Sequence, residues 1–420
     1  MDNGKGDIAL IVLDTLRWDF SEPIWRVLKP LGFVRYKAIA PSFWTLPSHV
    51  SMFTGLYPSA HGVHVTEKRK YLELRFRGES IINELKREGF RINWLTANAW
   101  VSPAFDFPEP DFLFIPRAAH GKRLLPLTEE EDRFKLNELV GLTYGRRVLK
   151  LIKKRRFKLL FKLAVNHIYN KISSKMSAGW PLDKGGKEIS QKLMKIDGER
   201  NFTFINLMEV HEPYVGFSEK GLKNPTGLPP SIDFRVERGV REKAERKLKF
   251  EYRREVEYLS ELLPKILEKL RDSLVIITSD HGQVLGEREV LYHTWGLYDE
   301  LLVVPLFVRY PVHVRKRGKG VVSLTKIPEL IWRYIEGELK SDGFLFGRAF
   351  AELFGPYIKY VPKTKEAEEW LERLNQRRVA VFEGGSKLVY NSVTGEVEEF
   401  YGDKKMKEEL LESARAFLEG

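Results

Sequence analysis

Five short apolar runs punctuate the chain: Ile8 to Leu13, Ile92 to Thr96, Phe202 to Leu207, Leu274 to Thr278 and Val303 to Val308. The first is Ile-Ala-Leu-Ile-Val-Leu, continuous and not alternating with polar residues. Such runs predict strands buried on both faces, the mark of a parallel sheet. Helical periodicity fills the intervals, as over Ser80 to Glu88. Over Tyr252 to Leu270, apolar residues recur at Val256, Leu259, Leu262, Leu263, Ile266 and Leu270. Strands alternating with helices predict an α/β fold with a mostly parallel sheet flanked by helices. The pattern changes near the C-terminus. Arg378 to Phe382, Lys387 to Tyr390 and Val397 to Tyr401 predict three short strands, joined at Gly384-Gly385 and Thr394-Gly395, before a closing helix over Lys404 to Leu418. The expected organisation is a main domain over 1–350, carrying a helical insertion at about 120–200, and a small α+β subdomain over 351–420 with its boundary near 345–375.

The insertion changes the picture of charge. The 420 residues hold 70 Lys and Arg against 58 Asp and Glu, a net charge of +12. Between Leu139 and Leu182 stand eleven Lys or Arg and no acidic residue, so the rest of the chain is close to neutral. Phe157, Leu160, Phe161, Ala164, Val165, Ile168 and Ile172 recur at helical spacing, so 146–172 reads as one or two amphipathic helices with a cationic face. That face is either simply solvated or, over 146–175, attracted to anionic lipid headgroups or a polyanionic substrate. The segment has no helix-turn-helix, zinc or RNA-binding motif, which argues against nucleic acid. Oligomeric state is not legible. No apolar stretch is long enough for a bilayer span, and the first residues lack the features of a signal peptide, so a cytoplasmic location, peripheral to a membrane or not, is expected. The chain has no cysteine, which excludes disulfides, thiolate metal sites and a cysteine nucleophile. Absent cysteine with abundant Lys, Arg and Glu fits a hyperthermophile.

Candidate chemistry gathers at strand ends, where open parallel sheets place their ligands. The first run ends in Asp14, the third leads into Glu209 and His211, and the fourth ends at Asp280-His281-Gly282, with His293 soon after. A single Asp at a strand end is ordinarily a cap or turn former; four strand ends or nearby loops offering Asp, His or both point to a shared site. A fifth segment, Phe43-Trp44-Thr45-Leu46-Pro47-Ser48-His49, predicts the start of a short helix ending at Gly55, with Thr45 as its N-cap. A helix N-terminus attracts anions, so Thr45 is either a cap alone or a hydroxyl set where a phosphate or sulfate would sit.

Asp14-Thr15-Leu16-Arg17, Thr45-Leu46-Pro47-Ser48-His49, Thr54-Gly55-Leu56-Tyr57-Pro58 with His61-Gly62, Asp280-His281-Gly282 and the stretch from His293 to Pro305 resemble, in order and spacing, the sulfatase family of the alkaline phosphatase superfamily. The resemblance spans roughly 7–310, and the Lys387 and Glu399 strands are similar to the family's C-terminal subdomain. It implies an alkaline-phosphatase-like sheet and a divalent metal held by Asp14, Asp280 and His281, with Thr45 completing the site and acting as nucleophile. His211 and His293 match positions that contact the ester or protonate the leaving group. Arg17 either touches the substrate anion or braces the sheet end; His49 either binds substrate or packs; Glu209 is either a ligand or the partner of a nearby base.

Three positions depart from the family pattern. Sulfatases carry at position 45 a cysteine, or sometimes a serine, that becomes formylglycine; Thr45 cannot give that aldehyde, which favours phosphate mono- or diesters over sulfate esters. Position 49 is His where Arg is usual, and position 15 is Thr where many members have a metal-binding Asp. One fewer carboxylate and one more imidazole favour Mn2+ or Zn2+ over Ca2+ or Mg2+. The alternatives carried by the same residues are a sulfuric ester hydrolase, a phosphoglycerol or phosphoethanolamine transferase, and a pseudoenzyme that binds anionic lipid.

Overall fold

The computed structural model describes residues 6–66, 74–116, 125, 129–134, 138–139, 144–176, 182–217, 232–355 and 364–419, for 129, 132, 133 and 169–176 the backbone alone. Eight strands form one sheet: β1 (Ile8–Leu13), β2 (Val34–Ile39), β3 (Arg91–Thr96), β4 (Phe112–Phe114), β5 (Asn201–Leu207), β6 (Leu274–Thr278), β9 (Val303–Arg309) and β10 (Val322–Ser323). Between β6 and β9 a small hairpin pairs β7 (Val284–Leu285) with β8 (Leu291–Tyr292). The spatial order is β10-β2-β9-β6-β1-β5-β3-β4. β1, β5, β6, β3 and β4 run parallel, while β9 pairs antiparallel with both β2 and β6.

The sheet is covered on both sides, as the continuous apolar runs require. Ile8, Leu10 and Val12 of β1 pack on one side with Leu46, Val50 and Phe53 of the Thr45–Thr54 helix, and with the Ile81–Arg87 and Ile327–Ile335 helices. Ala9, Ile11 and Leu13 pack on the other side with the Glu22–Leu28, Gly186–Leu193 and Arg238–Leu267 helices. β2 is not among the strands that the hydrophobic pattern predicts, because Arg35 and Lys37 interrupt its run.

A second sheet, β11 (Ala349–Leu353), β12 (Arg378–Glu383), β13 (Ser386–Asn391) and β14 (Val397–Tyr401), is antiparallel throughout. The Met406–Glu419 helix closes one side of it through Leu410 and Ala414 against Val379, Val381 and Leu388. The other side, Ala349, Ala351 and Phe382 among others, joins Ile39, Phe43 and Leu301 of the main body. The sequence pattern predicts three of these strands and not β11. Among the described residues no helix is long and apolar enough to cross a membrane.

Candidate active site

Parallel strands deliver their following loops to one edge. β1 ends at Leu13 and presents Asp14; β6 ends at Thr278 and presents Asp280 and His281; β3 presents Asn98; β5 presents Glu209 and His211. The turn after β1 is tight. Thr15 has φ of 66°, a left-handed conformation costly for a β-branched residue, and in it the Thr15 amide donates to Asp280 Oδ1 at 3.3 Å while its hydroxyl donates to the Val210 carbonyl at 2.9 Å. Gly282 follows the Asp280-His281 pair because any Cβ there would lie 2.1 Å from the Glu300 carbonyl oxygen.

Thr45 begins the Thr45–Thr54 helix, but not as its cap. Trp44 takes the N-cap position in an extended conformation, and Thr45 is the first helical residue. Its hydroxyl is therefore not used on the helix's own amides. Thr45 Oγ1 lies 3.3 Å from His281 Nε2. Because His281 Nδ1 is 2.9 Å from the Gly282 carbonyl, that nitrogen carries the proton and Nε2 offers a lone pair. Nε2 is also 3.4 Å from Asp280 Oδ2 and 3.9 Å from Asp14 Oδ1. Asp14, Asp280 and His281 are fully buried. Burial holds the imidazole at about 3, so it stays neutral. Burial, and then the neighbouring Asp280 carboxylate, push the Asp14 carboxyl above its ordinary value.

Two oxygens decide what this cluster is for. Asp14 Oδ1 and Asp280 Oδ2 are buried without a hydrogen-bond partner among the described residues. Their sister oxygens are satisfied, Asp14 Oδ2 by Asn98 Nδ2 at 2.9 Å and Asp280 Oδ1 by two backbone amides. Orphaned carboxylate oxygens facing a neutral imidazole lone pair are costly unless a cation sits among them. One ligand atom from each of Asp14, Asp280 and His281 lies within 4.8 Å of the others. The residues present thus fit a divalent cation. A second group, His211, Glu212 and His293, meets the same criterion. His211 Nδ1 and His293 Nδ1 each lie 3.3 Å from a different Glu212 oxygen, and the His293 ring stands 5.1 Å from that of His211 and 5.3 Å from that of His281. Burial would lower the His293 pKa, but the Glu212 carboxylate outweighs it and lifts His293 to about 9. Burial would likewise raise Glu212, and the two imidazoles outweigh it, holding that carboxyl well below its usual range.

The family model for sulfatases matches residues 32–331 of the chain. The protein belongs to the sulfatase family. Solved structures agree in fold. A 2-O GAG sulfatase aligns over 99% of this chain and 91% of its own at 12% identity with a TM-score of 0.56. Phosphonate monoester hydrolases from Silicibacter pomeroyi (16% identity, TM-score 0.56, 99% and 94% covered) and Agrobacterium radiobacter (14%, 0.55, 99% and 95%) align as completely. No curated protein sequence matches the chain.

Within this sulfatase-family frame the remaining expected site residues take defined places. Arg17 is braced, not offered to an anion: it binds Asp19 at 2.7 and 2.9 Å, Glu287 at 2.8 Å and the Gln283 carbonyl at 3.1 Å. His49 is fully buried, with Nδ1 2.9 Å from the Thr45 carbonyl and 3.5 Å from Asp280 Oδ2, and Nε2 3.3 Å from Asn206 Nδ2. Glu209 accepts from the amides of Lys184 and Gly186, at 3.1 and 2.8 Å.

Two contributors escape the sequence analysis. Asn98 belongs to the strand-end rule, since it follows β3 at the same sheet edge, but an amide there reads as an ordinary turn residue. Lys184 has no signal at all. It is buried, and its Nζ donates to the Glu209 carbonyl at 2.8 Å, to the His211 carbonyl and to Glu255 Oε2 at 3.0 Å, tying down the His211 loop. Burial raises the Glu255 carboxyl to about 7 even against the pull of Lys184. Lys184→Met should raise it further and leave an unpaired buried charge at alkaline pH. The expected loss is ~3 kcal/mol of unfolding free energy at pH 8. It should shrink toward pH 5, where Glu255 is protonated in the folded variant. Denaturant titrations at the two pH values check this; an equal loss at both would show that packing, not charge, carries the effect.

Proposed function

We propose that this sulfatase-family protein hydrolyses phosphate mono- or diesters through a covalent ester on Thr45. The observation that carries this reading is a hydroxyl that cannot become formylglycine, free of capping duty, 3.3 Å from the imidazole of the cation-ligand group. Asp14, Asp280 and His281 would hold the cation, with Mn2+ or Zn2+ favoured by the mixed oxygen and nitrogen donors. Such an ion supplies Lewis acidity, drawing charge from the ester oxygens and acidifying the Thr45 hydroxyl. Thr45 loses its proton to solvent and bonds to phosphorus as the bond to the leaving alcohol breaks. His293, whose pKa the adjacent Glu212 carboxylate raises, gives its proton to the departing alkoxide. Water then attacks the Thr45 ester and passes a proton to the now neutral His293. The released Thr45 alkoxide takes its proton back from solvent. Glu212 and His211 keep His293 in place.

A sulfatase relies on its aldehyde hydrate to expel sulfate, and Thr45 has no such route. With nitrophenyl esters and added Mn2+ or Zn2+, phosphate esters should be turned over repeatedly. Nitrophenyl sulfate should give at most a burst equal to the enzyme present. Sustained sulfate release at a rate equal to that of the phosphate esters sinks the reading. Metal analysis adds a second check. One ion per chain is expected; two ions would place His211, Glu212 and His293 in ligation and remove His293 from its acid role.

A further inference from the structure

We propose that the hairpin formed by the Tyr144–Lys153 and Phe157–Met176 helices is a docking surface for an anionic lipid bilayer, entered through its tip at Ile152 to Lys158. The proposal stands apart from the ester chemistry. The two helices meet at a tight reversal in which Arg155 has φ of 54° and the Arg156 amide closes on the Leu151 carbonyl at 2.9 Å. The inner side of the hairpin is already used. Leu151 and Leu159 are buried with Leu139. Lys150 pairs with Glu138 at 2.6 Å, Arg156 with Glu130 at 2.7 Å and Lys162 with Glu131 at 2.6 Å.

The outer side is what needs a partner. Seven consecutive residues, Ile152 to Lys158, are exposed, and besides Arg156, already paired with Glu130, four of them are Lys or Arg. Large apolar side chains stand among these cations: Leu149 is 68% exposed, Phe157 60%, Phe161 64% and Ile168 56%. At about 100° per residue, Phe157, Phe161 and Ile168 fall within about 40° of one another, a single stripe. Exposed apolar groups of this size, rimmed by charge, mark an interaction surface. The occupant must offer negative charge, since no acidic residue lies between Leu139 and Leu182, and also a medium for the apolar stripe. A second copy of this chain would bring the same cations and be repelled. A nucleic acid would satisfy the cations and leave Leu149, Phe157 and Phe161 in water. An anionic bilayer answers both, with headgroups for the cations and the acyl boundary for the stripe.

The test uses the full chain and co-sedimentation with large vesicles of phosphatidylcholine alone or with about 30 mol% phosphatidylserine. The native protein should bind the anionic vesicles and not the neutral ones. The triple variant Lys153→Glu, Lys154→Glu, Arg155→Glu should lose at least about 100-fold in affinity, since each cation contributes about fivefold near such a surface. The pair Phe157→Ser, Phe161→Ser should lose about tenfold or more. All these residues are exposed, so both variants should keep the native melting temperature. Three results overturn the proposal: no binding to anionic vesicles; vesicle binding indifferent to Phe157→Ser, Phe161→Ser; or a dimer of the native chain that the same pair dissociates.

Discussion

Thr45→Ala is expected to leave the protein folded and metal-loaded while lowering kcat/KM for a phosphate ester by about 10⁴-fold or more, the scale seen when a covalent nucleophile is removed. Among the described residues the one hydrogen-bond partner of Thr45 Oγ1 is His281 Nε2, and the helix it begins is anchored by Leu46, Val50 and Phe53 in the core. Alanine is also the best helix former for that first turn. Structure and catalysis therefore separate at this side chain. Thr45→Ser should keep a substantial part of the rate, because a primary alcohol occupies the same place. Trapping experiments give the complementary readout: acid quench of the native enzyme during turnover should yield a phosphorylated peptide spanning Thr45, and the alanine variant none. A variant that retains more than about a tenth of the native rate would show that water, not Thr45, attacks the ester.

How far the site could be read in advance depended on where each residue gets its role. Asp14 and Asp280 were legible because each ends an apolar run, and the geometry of a parallel sheet carries such ends to one edge. His281 followed from its neighbour. Arg17 was ambiguous because, beside the local Asp19, its bracing partners Gln283 and Glu287 lie 266 and 270 residues away. His49 was ambiguous for the same reason: whether an imidazole one helical turn from Thr45 faces inward depends on Asn206 and Asp280 across the core. The Thr45 cap failed on a subtler point. Thr is a good N-cap, but the cap went to Trp44, one residue earlier, where no side chain closes on the helix amides. That shift of one position is what leaves the hydroxyl available.

The fold was legible to the same degree and for a related reason. Continuous apolar runs gave β1, β3, β5, β6 and β9 within a residue or so of their ends. They could not give direction, so the reversal of β9 against β6 and β2 is a finding of the structure. β2 was hidden by Arg35, whose guanidinium leaves the sheet to stack on Trp18 at 4.1 Å and bind Glu22 at 2.9 Å. Lys184 illustrates the limit. A buried lysine is recognisable only from partners that lie 25 to 71 residues away.

The second large effect is a reversal of sign. Asp14→Asn should destroy cation binding and with it at least about 10³-fold of the activity, yet make the metal-free protein more stable. In the metal-free state Asp14 and Asp280 press two carboxylates together in a site without solvent, each with one orphaned oxygen. An amide of the same shape removes the repulsion, can still accept from Asn98, and brings N–H groups to face His281 Nε2 and Asp280 Oδ2. The gain should be ~1–3 kcal/mol, a rise of a few degrees in Tm under chelator. Its pH dependence follows from the raised Asp14 pKa. The protonated carboxyl is favoured in the fold below its ordinary value of 3.8, and that advantage is lost as pH rises through the folded-state value. The native metal-free protein is thus penalised at neutral pH and the variant is not, so the Tm gap should open from acid toward neutral pH. Adding Mn2+ or Zn2+ should invert the order, since the bound ion stabilises only the native chain, in proportion to the logarithm of its concentration over Kd. Differential scanning calorimetry with chelator and with metal tests both halves. A variant less stable than the native chain under chelator would mean that Asp14 serves the fold and not a cation.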